Sequence, residues 1–332
     1  MSGAGVRLKR VAQQRTSCSI ALRDANDPVF QAARSAKTSD RTDTHSRRLL
    51  YKAMGISLID FQCWAHVEPE GPEEPNPTHS IVFVRRGLFQ RTQHREMLTA
   101  DPTHILFFNA LHPYRYSHPL PGGDQCTILA VATDTALNLV ARQSPWDAET
   151  PWKPFHIPYA LSSPDAASIH YELLAILRRG APRLAIEDAI VELAEEAIRK
   201  AYTSNGKQRK QEKHSHMAGV TVRRHRDLTE ATKLVINQSL EDLPGLDDLA
   251  QSLACSPFHL SRIFHETTGI SLRRYVSRLR TSVAAARLAS GASDLTELAL
   301  DLGFADHSHF TNTFRREWGL CPSRFRASFA VS

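Results

Sequence analysis

Apolar residues in the last third of the chain follow a helical spacing that appears twice. From Leu246 to Leu253 the apolar side chains stand at i, i+3, i+4 and i+7. The same spacing returns from Leu295 to Leu302, about fifty residues further along the chain. Such a spacing places the apolar side chains on one face of an α-helix. The pattern therefore predicts a short amphipathic helix in each place.

Each of these helices is followed by the signals of a second helix. In the first copy Ser256 is a favourable N-cap and Gly269 a favourable stop, so we predict a helix over Pro257–Thr268. In the second copy Asp306 is the cap and Gly319 the stop. Two short helices joined by a tight turn, present twice, predict two helix-turn-helix units.

The faces that the second helices do not bury carry groups that recognise bases. Arginine bonds guanine, asparagine bonds adenine, hydroxyls bond either, and an exposed aromatic ring contacts the thymine methyl group. The alternative is a helical bundle with a solvated polar face, which does not require matching turns and caps in both copies. In the first unit (residues 246–269) and the second unit (295–319) we predict DNA contacts from Ser256, Phe258, Ser261, Arg262 and His265, and from Ser308, His309, Thr311, Asn312 and Arg315.

Short motifs in this region match a known family as a set. They include HLSRIF at 259–264, GF at 303–304 and FRR at 314–316. Through them the chain from about 228 to 329 resembles the DNA-binding domain of the AraC/XylS family of bacterial transcription regulators. The resemblance implies that one long helix, at about 271–290, joins the two units. It also implies that both second helices enter successive major grooves on one side of the duplex.

Earlier in the chain, between 55 and 133, short apolar runs alternate with proline and glycine turns. This texture predicts a small antiparallel barrel or sandwich. Turn sequences such as Gly122-Gly123-Asp124 resemble those of the cupin-like sensory domains found upstream in the same family. The runs with the length and content of strands are 56–61, 80–84, 105–108 and 125–131.

Two longer helical patterns follow, at 164–179 and 185–202. In the family such a pair often forms the dimer contact, which is one hypothesis here. In the other, both helices simply cover one face of the barrel. The basic stretch after 204 lacks apolar residues, which is typical of a flexible tether, and a leading helix at 226–239 follows it.

The predicted fold class is therefore α+β. It consists of an N-terminal cupin-like β-barrel with two following helices, then an all-α domain with two helix-turn-helix units joined by a long helix. The predicted domains are a flexible basic leader (1–50), a cupin-like sensory and dimerisation domain (51–203), a linker (204–222) and an AraC-type DNA-binding domain (223–332).

Composition limits the class of protein. The 332 residues suffice for two domains, and a formal charge of +6 is compatible with a polyanionic partner. Five scattered cysteines without a C-x-x-C spacing indicate a reducing cytoplasm and argue against a structural zinc site. No apolar run approaches the roughly 18 residues of a membrane span, and no signal peptide is evident.

Five histidines fall in the β-rich region, yet they lack the H-x-H pattern of metal-binding cupins. We interpret them as turn, capping and core residues, and Asp124 as a turn residue that bonds backbone amides. Accordingly we predict no metal ligands, no catalytic residues and no cofactor. The histidines are His79, His94, His104, His112 and His118.

Together these patterns predict a sequence-specific, non-enzymatic transcription regulator of the cytoplasm. Its expected partners are double-stranded promoter or operator DNA and RNA polymerase, with a small-molecule effector and a second copy of the chain as further candidates. The alternative is a cupin-type metal-dependent enzyme, or a repair protein, that carries a DNA-binding appendage.

Overall fold

The amino-terminal half of the molecule is built from antiparallel strands. The structure is a computed structural model that describes residues 45–67, 69–213 and 219–330. The larger sheet has the strand order β1-β2-β9-β4-β7-β10, and the smaller sheet has the order β3-β8-β5-β6. The strands are β1 His45–Ala53, β2 Ile56–Cys63, β3 Glu74–Pro75, β4 His79–Gly87, β5 Phe89–Gln93, β6 Glu96–Ala100, β7 His104–Phe108, β8 Pro113–Ser117, β9 Asp124–Val131 and β10 Tyr159–Leu161.

The two sheets pack face to face, and among the described residues each pairs only within itself. Side chains alternate between the two faces of a strand. On β4, Val82 and Val84 therefore point into the apolar layer between the sheets, whereas Ile81 and Phe83 point to the other face of the larger sheet. The closed cupin-like barrel is not confirmed, and the open two-sheet arrangement matches the sandwich alternative.

Three helices cover the outer face of the larger sheet. They are α1 Thr133–Ala141, α2 Pro164–Arg178 and α3 Arg183–Lys213, and a 3₁₀ turn lies at Asp147–Glu149. Buried residues of α3, among them Ile190 and Leu193, share one apolar cluster with Leu58 and Leu129 of the sheet. The pair α2 and α3 thus covers the sheet, as one of the two hypotheses expected.

Two of the predicted boundaries are wrong. Strand β1 begins at His45, so residues 45–50 are not part of a flexible leader, and residues 1–44 lie outside the described chain. Helix α3 continues to Lys213, so residues 204–213 are helical rather than an irregular linker. Lysine, arginine, glutamine and glutamate are good helix formers, and the loss of apolar residues therefore does not end the helix.

Among its described residues, the carboxyl-terminal part contains α-helices and no strand. The leading helix α4 begins at Gly219, seven residues before the predicted start, whereas the helix predicted at 257–268 has the expected bounds. The helices are α4 Gly219–Gln238, α5 Leu246–Ser252, α6 Pro257–Thr268, α7 Leu272–Ala289, α8 Leu295–Asp301, α9 His307–Trp318 and α10 Pro322–Ala327.

Helix α7 is the connecting helix, and it belongs to the cores of both units. Near its start, Tyr275 and Leu279 pack in the first unit with Leu260 and Phe264 of α6. Near its end, Ala285 and Leu288 pack in the second unit with the aromatic residues of α9. Because a single helix is built into two cores, the two units are held at a fixed separation.

Apolar contacts join the second unit to α2 of the amino-terminal part. The ring of Tyr171 on α2 lies 5.3 Å from the Trp318 ring, 5.4 Å from Phe325 and 6.1 Å from Phe329. Buried aromatic pairs at such distances contribute about 0.5–1.5 kcal/mol each beyond the area that they bury. The amino-terminal part therefore completes the core of the second unit.

A buried polar cluster joins the first unit to the sheets. The Asp101 carboxylate, after β6, accepts hydrogen bonds from the Tyr275 hydroxyl and from Asn237 Nδ2, the latter at 3.0 Å. Burial alone would raise the pKa of Asp101, but His104, Thr103 and Tyr275 hold that pKa well below its usual range. A buried charged group that accepts several hydrogen bonds holds together the elements that supply the donors.

Candidate nucleic-acid interface

The sequence of α6 specifies both ends of the helix and its buried face. The Ser256 hydroxyl oxygen accepts a bond of 3.2 Å from the His259 amide, and Gly269 ends the helix with φ of 74°. A serine cap satisfies one of the amides that the first turn leaves free, and glycine adopts the left-handed conformation without a steric cost. The buried residues are Leu260, Ile263 and Phe264.

The opposite face of α6 is open to solvent. The side chain of Phe258 is 77% exposed, an unusual position for an aromatic ring, and Arg262 and His265 are also exposed, while Ser261 is half-buried. The Arg262 guanidinium lies 3.2 Å from Glu266 on the next turn. Exposed pairs of this spacing contribute only about 0.3–0.5 kcal/mol, so this pair holds the guanidinium weakly.

Helix α9 repeats the design. The Asp306 carboxylate accepts a bond of 2.7 Å from the His309 amide, and Gly319 ends the helix with φ of 71°. On the inner face the rings of Phe314 and Trp318 are stacked, with centroids 5.5 Å apart. Ser308, His309, Asn312 and Arg315 lie on the exposed face.

Two of the ten predicted contact residues are placed differently from the others. Thr311 is half-buried, and its Oγ1 is buried without a hydrogen-bond partner among the described atoms. Ser256 is exposed, but its hydroxyl oxygen is used as the cap of α6. The remaining eight present their side chains outward or half outward, four on each helix.

The arginines of α7 have different roles. Arg280 donates to the Gly303 carbonyl at 2.6 Å and to the Leu240 carbonyl at 3.0 Å, and burial lowers its pKa. Arg278 and Arg287 form ion pairs with acidic residues of the protein. Arg280 thus fixes the turn of the second unit, and of the five arginines on this helix only Arg273 and Arg274 are exposed.

Arg316 on α9 was not among the predicted DNA contacts. Its side chain is 66% exposed, beside Arg315, while its neighbour Glu317 is buried against Arg278. The exposed surface of α9 therefore carries two guanidinium groups at its carboxyl-terminal end. The FRR motif at 314–316 was the sequence signal for this pair of arginines. That the next residue, Glu317, is buried and not part of the exposed surface is seen only in the structure.

The histidines of the sheets occupy core and turn positions. His79 is buried and accepts a bond of 3.1 Å from the Ala110 amide, and His94 lies in a turn with φ of 50°. The expectation for Asp124 is wrong, because its buried carboxylate bonds His118 at 2.8 Å instead of capping a turn. Burial alone would lower the pKa of His118, but its bonds to Asp124 and Cys63 raise it to about 9.

Two helix-turn-helix units, each with an exposed polar helix face and joined by one helix, define the class of DNA-binding proteins with paired reading helices. A helix-turn-helix domain family matches residues 249–328. The HTH-type transcriptional activator AarP of Providencia stuartii is 31% identical over 93 residues, which are 28% of this chain and 69% of AarP. The chain belongs to the AraC/XylS family of transcription regulators.

Other comparisons cover different shares of the chain. The HTH-type transcriptional activator RhaS of Escherichia fergusonii is 37% identical over 78 residues, 24% of this chain and 28% of RhaS. The crystal structure of ToxT from Vibrio cholerae covers 83% of this chain and 99% of ToxT, with 10% identity and a TM-score of 0.31. The chain spans between 28% and 42% of the length of several relatives, RhaS among them. Among the described residues, no helix is both long and apolar enough to cross a membrane.

Proposed function

We propose that this chain regulates transcription by binding a specific duplex site through α6 and α9. The observation that carries the proposal is the duplicated surface: each helix buries one apolar face and exposes a polar face with a guanidinium and other base-reading groups. A major groove admits one α-helix, and successive grooves are one turn of duplex apart. Helix α7 holds the two reading helices in one register.

Within this proposal, Arg262 and Asn312 are the main base readers, because bidentate groups distinguish base pairs best. Ser261, His265, Ser308 and His309 add contacts, and Phe258 packs against a thymine methyl group. Ser256 and Thr311 have smaller roles, since the first caps α6 and the second hides its hydroxyl oxygen. Arg315, with Arg316, approaches phosphate.

The proposal assigns a sensory role to the amino-terminal sheets, with the cupin-like character and a small-molecule effector as parts of it. The contacts of Tyr171 and Asp101 with the helical domain support this role, because a change in the sheets reaches both units through them. We also propose RNA polymerase and a second copy of the chain as partners, and the cytoplasm as the location. In this proposal residues 51–203 form the sensory domain and residues 223–332 form the DNA-binding domain.

Selection of genomic fragments bound by the purified full chain tests the proposal. We expect one recurring duplex sequence and an affinity that falls steeply with salt, since lysine and arginine contacts release counterions. A flat salt dependence, or capture of fragments without a shared sequence, would contradict specific recognition.

The selected site then allows a test of the register without any change in the protein. Five base pairs inserted between its two halves turn them about half a helical turn apart. We expect affinity to fall at least about 100-fold, because one reading helix loses its base contacts. The same five base pairs added outside the two halves are the control for added length. Unchanged binding after the half-turn insertion would show that the two helices do not read DNA together.

A further inference from the structure

Three ligand-type side chains from separate parts of the chain meet between the two sheets. Cys63 ends β2 and Asp124 begins β9, and these two residues are paired across the larger sheet. His118 directly follows β8 of the smaller sheet. The exposed fractions are only 6%, 2% and 5% for Cys63, His118 and Asp124, so bulk water does not surround the cluster.

Their ligand atoms lie at distances that a metal ion can bridge. One sulfur, one ring nitrogen and one carboxylate oxygen all lie within 4.8 Å of one another. A tetrahedral zinc ion with bonds of about 2.0–2.3 Å places its ligand atoms roughly 3.3–3.8 Å apart. The ring nitrogen and the carboxylate oxygen are 2.8 Å apart, so shifts of about 1 Å bring the three atoms to that spacing.

The surroundings position these groups. The Cys126 thiol, on the same face of β9 as Asp124, donates to the second carboxylate oxygen at 3.1 Å. A Cβ atom on Gly123, which has φ of 63°, would lie 2.2 Å from the Cys63 carbonyl oxygen, so the turn before Asp124 is packed against the end of β2. Outer contacts of this kind orient metal ligands.

The structure points to a metal function for the cluster rather than a purely structural pair. The three groups form a set rather than a pair, since His118 bonds both Asp124 and Cys63 and one ligand atom of each residue lies within 4.8 Å of the others. A thiolate, an imidazole and a carboxylate are the donors that zinc takes in proteins. With one thiolate and one carboxylate, the cluster neutralises a divalent ion.

We propose that Cys63, His118 and Asp124 bind one divalent transition-metal ion of the zinc type, with Cys126 as a positioning residue. Because the ligands come from both sheets, the ion joins the sheets to each other. Three protein ligands leave a fourth position for a small ligand. This site is independent of the proposed DNA contacts, and its test does not involve DNA.

Cobalt titration of the full chain, stripped of metal and kept reduced, tests the proposal. Co²⁺ replaces Zn²⁺ in tetrahedral sites and reports a bound thiolate by a charge-transfer band in the near ultraviolet. We expect one equivalent to produce this band together with visible bands, and Zn²⁺ to displace the cobalt. Absence of the band in the wild-type chain would overturn the proposal whatever the variants do.

Variants identify the ligands. Cys63→Ser should abolish the charge-transfer band, and His118→Gln and Asp124→Asn should weaken binding at least about 100-fold. Cys126→Ala should keep the band and one equivalent while weakening binding about 10–100-fold, as loss of an outer contact does. The controls Cys255→Ser and His94→Gln should bind as the wild type does. A band lost in Cys126→Ala, or retained in Cys63→Ser, would refute the proposed ligand set.

Discussion

Arg262 illustrates how the neighbours of one residue decide its role. Among the described residues, its ion pair is with Glu266 one turn away, and both side chains are exposed. Arg280 has the same chemistry, but it donates to backbone carbonyls at the turn of the second unit. The first is available for a ligand, and the second stabilises the fold.

Replacement of Arg262 by alanine should cost about 1–3 kcal/mol of DNA binding and relax the preference at one base position. The reason is the loss of the bidentate base contact that we propose for Arg262. Competition binding with single-base variants of the selected site measures both effects. Arg183→Ala is the matched control, since Arg183 forms the same type of pair with Glu187 four residues on, far from α6 in sequence. An equal loss on every sequence with a smaller salt slope would make Arg262 a phosphate contact.

His170 gives a pH dependence of stability. It is buried, its Nε2 lies 2.8 Å from the Thr127 hydroxyl oxygen, and burial, with help from Arg85, lowers its pKa from 6.5 to about 3. Between these two values the unfolded chain binds a proton that the folded chain excludes. The protein therefore keeps this stability above pH 6.5, and its free energy of unfolding decreases as the pH falls, by up to about 1.4 kcal/mol per pH unit.

Denaturant unfolding at several pH values between 5 and 7 measures this slope. The variant His170→Gln cannot take up the proton, so its free energy of unfolding should depend less on pH in that window. Comparison of slopes rather than absolute stabilities separates the effect from any packing cost of the substitution. Identical slopes in both chains would contradict a neutral buried histidine.

At the scale of elements, the turn of the second unit depends on one glycine. Gly303 has φ of 71°, and a Cβ atom there would lie 2.4 Å from Arg280 Nη2 and 2.5 Å from the Glu241 carbonyl oxygen. Gly319, at the end of α9, has the same φ of 71° but nothing within 4 Å of such an atom. Substitutions at the two glycines can therefore distinguish the cost of backbone strain, present at both positions, from the cost of a steric clash, present only at Gly303.

Gly319→Ala should destabilise the chain by about 1–2 kcal/mol, which is the cost of the left-handed conformation for an alanine. Gly303→Ala should destabilise the chain by about 1–3 kcal/mol more than Gly319→Ala does, because the backbone at Glu241 has to move. Denaturation midpoints of the two variants and the wild type give the comparison. Equal midpoints for both variants would show that the turn accommodates a methyl group.

At the scale of the whole molecule, the sheets and the helical domain share buried contacts. Tyr171 completes the core of the second unit, and the Asp101 cluster reaches the first. Asp101 lies 174 positions before Tyr275 in the sequence, so this contact couples distant parts of the chain. Both reading helices are thus tied to the amino-terminal part.

Tyr275→Phe removes one donor from the buried Asp101 carboxylate and should lower stability by about 1–3 kcal/mol. Hydrogen exchange should rise both in α7 and around Asp101, because the two sides lose one shared bond. Tyr202→Phe is the control, since it removes a bond of 2.5 Å to Asp147 within the amino-terminal part. Faster exchange on only one side would argue against coupling through this cluster.

The sequence by itself determined the helical domain. The bounds of α6, the caps Ser256 and Asp306 and the stops Gly269 and Gly319 all agree with the structure. These signals act within about one helical turn, so they can be read without knowledge of the fold. The exposed faces of α6 and α9 follow from the same short-range periodicity.

Only the tertiary structure decided which distant residues meet. Strand β1 lies at a sheet edge and is largely exposed, so no alternation of apolar residues marked it. The meeting of Cys63 with His118 and Asp124 depends on strand pairing and on the packing of two sheets. The same holds for the Asp101 cluster. Such contacts join segments far apart in the chain, and their partners leave no periodic signal in the local sequence.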